Sequence, residues 1–209
     1  MTLRERKKKE TRHSILSASK DVFLTKGYAQ TTIDEIAEKA NVGVGTVYNY
    51  FQSKADIFIT IMSDELVLDE TDIPMSLVGQ LKPNSVMECV LTLVSRYLQV
   101  IKLVQKEVWQ ELLGAATSNP KSEKTLLDGM FQMDDRFIDK TEAMFQQLKK
   151  EQLLHHSFAE KEAAYAVYSI VLTQFIFYIY RSECTTEELY ERIKSQMYFI
   201  FDGKYTETE

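Results

Sequence analysis

The chain predicts an all-α fold, on three observations. Apolar residues recur at the helical period in one segment after another. Glycine and proline, 7 and 3 of 209 residues, are too scarce for a protein of strands and turns. No segment alternates apolar with polar residues over a useful length. About nine helices are expected, and 44% hydrophobic residues supply a substantial core for one large domain, or for a small one and a medium one.

The first helix is marked by Ile15, Ala18, Val22 and Phe23 and ends at Lys26-Gly27, where Gly27 suits a C-terminal cap. Ahead of it, Met1 to Arg12 holds six basic residues (Arg4, Arg6, Lys7, Lys8, Lys9, Arg12) against Glu5 and Glu10. Such a run is a solvated tail or a helix start. In front of a nucleic-acid-binding domain it can also touch phosphates.

The next stretch, Thr31 to Lys54, organises the chain. Ile33, Ile36, Ala37 and Ala40 make one buried helical face, and Thr32 with Glu35 has the pattern of a capping box. Asn41-Val42-Gly43 breaks the helix, because Asn and Gly tolerate left-handed backbone. A short helix over 44–50 then turns Val47 and Phe51 inward, with Gly45 and Asn49 on the opposite side between Thr46 and Tyr48. Ser53 caps a fourth helix and Lys54 lies in its first turn. Two helices joined by a tight turn form either a plain helical hairpin or a helix-turn-helix, whose second helix fits the major groove of DNA. The outward hydroxyl and amide groups of Thr46, Tyr48, Asn49 and Tyr50 favour the second reading. Thr46 and Asn49 can reach base edges, Val44 can meet a thymine methyl, and Gly45 lets the backbone approach closely. No Arg, Lys or Gln lies between Val44 and Tyr50, so part of the sequence choice is expected to come from DNA shape.

The fourth helix is expected from Ser53 to about Leu68, with Ile57, Phe58, Ile61 and Met62 inward, before breaks at 69–74, Gly79 and Pro83. Asn84, Ser85 and Glu88 open a fifth helix (Val86, Val90, Leu93, Val94, Tyr97, Leu98, Ile101). The apolar pattern runs on through Val104, Val108, Trp109, Leu112 and Leu113 as a sixth, which ends at Ser118-Asn119-Pro120. A seventh covers about Ser122 to Lys150 (Leu126, Leu127, Met130, Phe137, Met144, Phe145, Leu148). Ser157 with Glu160 predicts a capping box for an eighth helix reaching Arg181. Thr185 with Glu188 does the same for a ninth, with Leu189, Ile193, Met197, Ile200 and Phe201 inward. Residues 163–180, AAYAVYSIVLTQFIFYIY, are apolar on nearly every side and approach the length of a membrane span. Ser169, Thr173, Gln174 and four tyrosines oppose insertion. Such a helix must instead be covered all round by protein, on one side by its neighbours and on the other by a second copy of the chain.

Charge is segregated. Residues 1–60 carry ten Lys/Arg against seven Asp/Glu, and 61–209 carry fifteen against twenty-four, within a formal net charge of −6. A basic head on an acidic body permits binding to DNA by one end. No catalytic constellation emerges. There is neither GxSxG nor HExxH, and in the GxGxxG-like string begun by Gly43 and Gly45 the third glycine is replaced by Tyr48. His155 and His156 are adjacent and do not share a helix face, and Cys89 and Cys184 form no ligand cluster, so neither a metal nor a cofactor is expected. Two reduced thiols and no apolar leader point to a cytoplasmic protein.

Lys26-Gly27-Tyr28, Thr31-Thr32-Ile33, Ile36-Ala37, Val42, Gly45-Thr46-Val47-Tyr48, Tyr50-Phe51 and Ser53-Lys54 together resemble the DNA-binding domain of the tetracycline-repressor (TetR) family, over residues 8–60. The resemblance implies a helix-turn-helix domain at 1–53 and a helical ligand-binding and dimerisation domain at 54–209. It implies that Thr32, Tyr50 and Lys54 hold phosphates, while Val44, Thr46 and Tyr48 face the groove. It also implies a homodimer through the last two helices, with a ligand cavity among helices five to eight. Tyr97, Trp109, Phe137, Met144, Tyr168, Leu172 and Phe175 lie on those helices, as core residues or as the apolar, aromatic wall of a cavity for a hydrophobic effector. The expected function is a ligand-responsive repressor on a palindromic double-stranded DNA operator. The alternative is a helical protein-interaction module that keeps the fold without specific DNA binding.

Overall fold

The structure, a computed structural model, describes residues 2–65, 85–118 and 124–204. Among these are nine α-helices and no extended strand. They are α1 (Leu3–Lys26), α2 (Ile33–Lys39), α3 (Val44–Tyr48), α4 (Lys54–Glu65), α5 (Ser85–Ile101), α6 (Lys106–Ser118), α7 (Lys124–Lys150), α8 (Glu160–Tyr180) and α9 (Thr186–Phe201). The expected end of α4 near Leu68, the breaks at 69–74, Gly79, Pro83 and 119–120, and the starts at Asn84 and Ser122 lie outside the described residues.

Two compact units are formed. One holds α1 to α4, α6 and α7 up to Phe131; the other holds α5, α7 from Gln132, α8 and α9. The expected boundary at 53/54 runs inside the first unit, at the start of α4.

In the first unit, α1 begins ten residues ahead of His13, where the apolar stripe opens. Thr2 and Glu5 close a capping box there (Glu5 N–H to Thr2 Oγ1, 3.2 Å; Thr2 N–H to Glu5 Oε2, 2.7 Å). Arg6 and Glu10 then pair one turn apart. The basic run is therefore helical and exposed. Packing of α1 on α2 and α4, and of α2 on α3, buries Ile15, Phe23, Ile36, Val47, Ile57 and Phe58 almost completely. At about 1.5–3 kcal/mol for each large apolar side chain, these contacts dominate the stability of the head. Phe58 stands at the centre of an aromatic cluster, with Phe23 and Tyr28 each at 5.5 Å and Trp109 of α6 at 6.3 Å between ring centroids.

In the second unit, α8 packs on α9 and α9 on α5. Phe145, Phe158 and Phe201 form its aromatic core, at 5.2, 5.4 and 6.0 Å between centroids. Thr185 caps α9 as expected, with the reciprocal Glu188 bond. The box expected at Ser157 and Glu160 is not formed. Ser157 Oγ bonds His155 Nδ1 at 2.7 Å, Glu160 pairs with Lys149 at 3.0 Å, and α8 starts from Ala159 without a side-chain cap. A neighbouring imidazole and a lysine have captured both partners. α8 buries Ala164, Val167, Val171, Phe175, Tyr178 and Ile179 and leaves Tyr165, Leu172, Phe177 and Tyr180 exposed.

Candidate nucleic-acid interface

The turn between α2 and α3 explains how the exposed face is aimed. Asn41 takes the left-handed conformation, φ 54°, while Gly43 is extended, φ −72°, and serves as N-cap of α3. The work foreseen for Asn and Gly together thus falls to Asn41. Val42 N–H bonds Ala37 O at 3.0 Å and Asn41 N–H bonds Glu38 O at 3.0 Å, the paired bonds that stop a helix on a left-handed residue. At the N-terminus of α2, Thr32 Oγ1 accepts Glu35 N–H at 3.3 Å, and Glu35 returns the bond to Thr32 N–H at 3.1 Å. Glu35 also binds Lys26, the leading cause of its lowered pKa.

α3 is shorter than expected, ending at Tyr48. Asn49 caps it, and Tyr50 N–H bonds Val47 O at 3.0 Å in a tighter turn that delivers Phe51 into the core. With Val47 and Phe51 buried, the outward residues are fixed. Gly45, Tyr48 and Asn49 are exposed, and Val44, Thr46 and Tyr50 are half-buried. A Cβ built at Gly45 would meet nothing within 4 Å, so the backbone there is open to a close approach. Thr32 is exposed, and because its hydroxyl oxygen accepts from Glu35, its O–H remains free to donate.

Lys54 is placed differently from an outward phosphate ligand. Its Nζ donates to the carbonyls of Tyr28 (2.7 Å), Thr31 (3.0 Å) and Ala29 (3.2 Å), and lies 4.4 Å from the centroid of the Tyr28 ring. Three donors on three carbonyls make it a clamp on the α1–α2 loop. Glu111 of α6 grips the same loop from its amide side, accepting Ala29 N–H at 3.2 Å.

The residues expected to line an effector cavity are dispersed. Trp109 packs on Phe58 in the first unit, Leu172 is exposed, and Met144 and Phe175 are buried. Tyr97, Phe137 and Tyr168 come together in the second unit, where the rings of Tyr97 and Phe137 lie 4.4 Å apart. Tyr97 and Tyr168 converge on a residue that sequence reading missed. Asp134 accepts the Tyr97 hydroxyl at 2.5 Å and the Tyr168 hydroxyl at 2.7 Å, one on each carboxylate oxygen. Burial raises the Asp134 pKa against the lowering effect of both tyrosines, and Tyr97 and Tyr168 are pushed well up by burial and by the carboxylate. The available signal was positional, since Asp134 stands four residues after Met130 and three before Phe137, on an apolar stripe. The α5–α9 cleft, about 260 Å³ and lined by Leu98, Lys102, Glu187 and Tyr190, contains none of the seven expected residues.

A trihelical head that projects a short polar helix, carried by an all-helical body, defines a helix-turn-helix protein of the DNA-binding class. Residues 15–61 of this head match the family model for bacterial regulatory proteins, tetR family. The chain is similar to the HTH-type transcriptional regulator HbdR of Aromatoleum sp. (strain CIB), 39% identical over 74 residues that make up 35% of this chain and 32% of that protein. It is also similar to the HTH-type transcriptional repressor BepR of Brucella suis biovar 1 (strain 1330), 47% identical over 53 residues, 25% of each chain. These matches take in a third or less of the curated relatives' own lengths. A solved structure described as a TetR-family transcriptional regulator from Syntrophomonas wolfei agrees in fold over 94% of this chain and 97% of that one, with a TM-score of 0.69 at 23% identity. The family and the relatives matched are transcriptional regulators, not enzymes.

Proposed function

We propose that the chain is a repressor that binds a palindromic DNA operator as a homodimer and releases it when a hydrophobic small molecule enters the helical domain. The observation that carries this reading is the exposed Gly45–Tyr48–Asn49 surface of α3, held rigidly by Val47 and Phe51 beneath it. A five-residue helix with one buried residue contributes little to the core, so its polar surface is accounted for by a partner outside the chain. Thr46, Tyr48 and Asn49, with the backbone at Gly45 and the Val44 methyls, read the major groove. Thr32 and Tyr50 hold phosphates, and the exposed basic turns of α1 add charge that attracts the duplex without reading it.

The two-fold partner is supported by α8, whose exposed Tyr165, Leu172, Phe177 and Tyr180 would otherwise face water. α8 is long and apolar enough to cross a membrane by length and composition. Packing on α9 and burial of its other face favour a helix–helix interface in a cytoplasmic protein instead. The repressor sense follows the head's similarity to BepR.

The test is selection of bound fragments from genomic DNA, followed by fluorescence anisotropy on the selected duplex over a range of salt. The expected result is a palindromic site bound at least about a thousandfold more tightly than unrelated DNA. Weak association that is indifferent to sequence would establish the protein-interaction module in its place.

A further inference from the structure

The cleft between α5 and α9, about 260 Å³, lies wholly within the second unit and is lined by none of Tyr97, Asp134 and Tyr168. Its floor is apolar: Leu98 and Leu189 are buried, with the half-buried Tyr190 beside them. Its two lips carry opposite charge. Lys102, one residue past the end of α5, stands on one, and Glu187 of α9 stands on the other. Thr186 Oγ1 donates to both Glu187 oxygens at 3.1 Å, which steadies the carboxylate without neutralising it. The Glu187 pKa is lowered by its own backbone amide first, then by the Thr186 hydroxyl, and the charge of Lys102 adds to this. The two charges therefore sense one another across the cleft, yet no ion pair joins them, and the Lys102 ammonium has no direct partner among the described residues. The hydroxyl of Ser95 is a second unmatched group. Ser19, Thr141 and Ser169 bond back to a carbonyl one turn earlier, as helical hydroxyls do. Ser95, half-buried in the cleft wall, makes no such bond, and neither its hydroxyl nor that of Tyr190 has a protein partner among the described residues. A simple anion would be repelled by one lip and a simple cation by the other. A solute that carries a carboxylate, an ammonium and an apolar body matches both lips and the floor. The volume falls just below the roughly 300–1,000 Å³ of drug-sized sites, which suits a solute the size of an amino acid.

We propose that the α5–α9 cleft is a binding site for a free amino acid with an aromatic side chain. Lys102 and the Ser95 hydroxyl take its carboxylate, Glu187 takes its ammonium, and the ring lies on Leu98 against Tyr190. Tyr190 and Phe199 stand nine residues apart on α9, two and a half turns, and so face opposite sides of the helix. A two-fold partner seated on the exposed Phe199 and on the open face of α8 would leave the cleft accessible. The site stands whether or not the chain binds DNA.

Titration calorimetry on the full-length protein tests this with three probes of similar size. They are L-phenylalanine, 3-phenylpropanoate, which lacks the ammonium, and 2-phenylethylamine, which lacks the carboxylate. The wild type is expected to bind phenylalanine about tenfold or more tightly than either of the other two. Lys102→Met should lose that advantage over 2-phenylethylamine, and Glu187→Gln should lose it over 3-phenylpropanoate. Both side chains are exposed, so the variants should melt with the wild type. Failure of phenylalanine to bind at millimolar concentration overturns the proposal, as does equal binding of the three probes by the wild type. So does a full preference for phenylalanine in both variants, which would place the solute elsewhere. The comparison of probes on the wild type needs no variant, so a misfolded one leaves the outcome decided.

Discussion

The Nζ of Lys54 and the Tyr28 side chain meet face on: the ammonium lies 4.4 Å from the centroid of the ring while donating to the carbonyl of the same residue at 2.7 Å. The charge that resemblance assigned to a phosphate is thus spent on the loop that orients α2 against α1. Lys54→Met removes the clamp and keeps the stem. It is expected to lower the stability of the head by about 1–2 kcal/mol through carbonyls left unmatched, and to weaken binding to every duplex alike. The salt dependence decides how it acts. A positioning role leaves the slope of log K against log salt unchanged, whereas a direct phosphate contact would reduce it by about one.

Glu111 couples α6 to that loop. Its carboxylate accepts Ala29 N–H and lies against Gly27, where a Cβ would come within 2.8 Å of Oε2. Gly27 itself has φ 81°, a conformation that L side chains rarely adopt. Gly27→Ala is therefore expected to destabilise the protein by more than about 1 kcal/mol, chiefly through the strained φ, with the flexible Glu111 carboxylate also displaced from the loop. Glu111→Gln keeps an acceptor and is expected to be nearly neutral; Glu111→Leu hands the exposed Ala29 amide to water and is expected to cost only about 0.5–1.5 kcal/mol, the net worth of one hydrogen bond. Urea unfolding of the three variants, followed by Trp109 fluorescence, gives the ranking. A neutral Gly27→Ala would refute the argument.

What the sequence made legible was short-range. Helices with one apolar face, the turn at Asn41 and the caps at Thr32, Ser53 and Thr185 are set by residues within a turn or two of one another. The same local rule failed at Ser157, because His155, two residues away, offered its oxygen a competing partner. The inward course of Lys54 was hidden because its acceptors are backbone carbonyls 23 to 26 positions away, and every residue type carries one. Glu111 finds its amide 82 positions distant, and Asp134 its hydroxyls at 37 and 34. A carboxylate on an apolar stripe can be noticed in one dimension; its partners are chosen by tertiary packing. Trp109 falls outside the expected cavity because helical spacing does not say which unit a helix joins, and Leu172 because on a helix apolar all round it does not say which face is covered.

The exposed side of α8 predicts the oligomeric state. Leu172→Glu with Phe177→Glu puts two charges on the surface proposed to meet the partner, where Leu172 is 40% and Phe177 39% exposed in the single chain. Both positions are open, so the fold of the protomer should survive with its thermal transition little changed. Light scattering is expected to report a dimer for the wild type and a monomer for the double variant, and operator affinity should fall by at least about a hundredfold as the two half-sites uncouple. A wild type that is monomeric at micromolar concentration would remove the two-fold partner.

Asp134 also makes a pH prediction whose sign follows from burial. Its pKa is raised, chiefly by burial, and opposed by the Tyr97 and Tyr168 bonds. A folded value above the unfolded one means that its contribution to stability is fully present below the ordinary aspartate value of about 4. That contribution is lost as pH rises through the raised value. At neutral pH the ionised side chain is therefore a cost to the fold, and Asp134→Asn should melt a few degrees higher than the wild type near pH 7. The difference should shrink as pH falls towards 4. The tyrosines titrate in the same sense at the other end: both are raised, so the stability that they lend holds up to the ordinary tyrosine range near 10 and is lost above it. Absorbance at the tyrosinate band should therefore show two hydroxyls titrating late in the wild type, and earlier in Asp134→Asn, where the neighbouring negative charge is gone. Melting curves at a series of pH values measure the first effect. A gap between the two proteins that widened on acidification would mean that the two tyrosine bonds outweigh burial and hold the carboxylate in its charged form, and the sign of the whole argument would reverse.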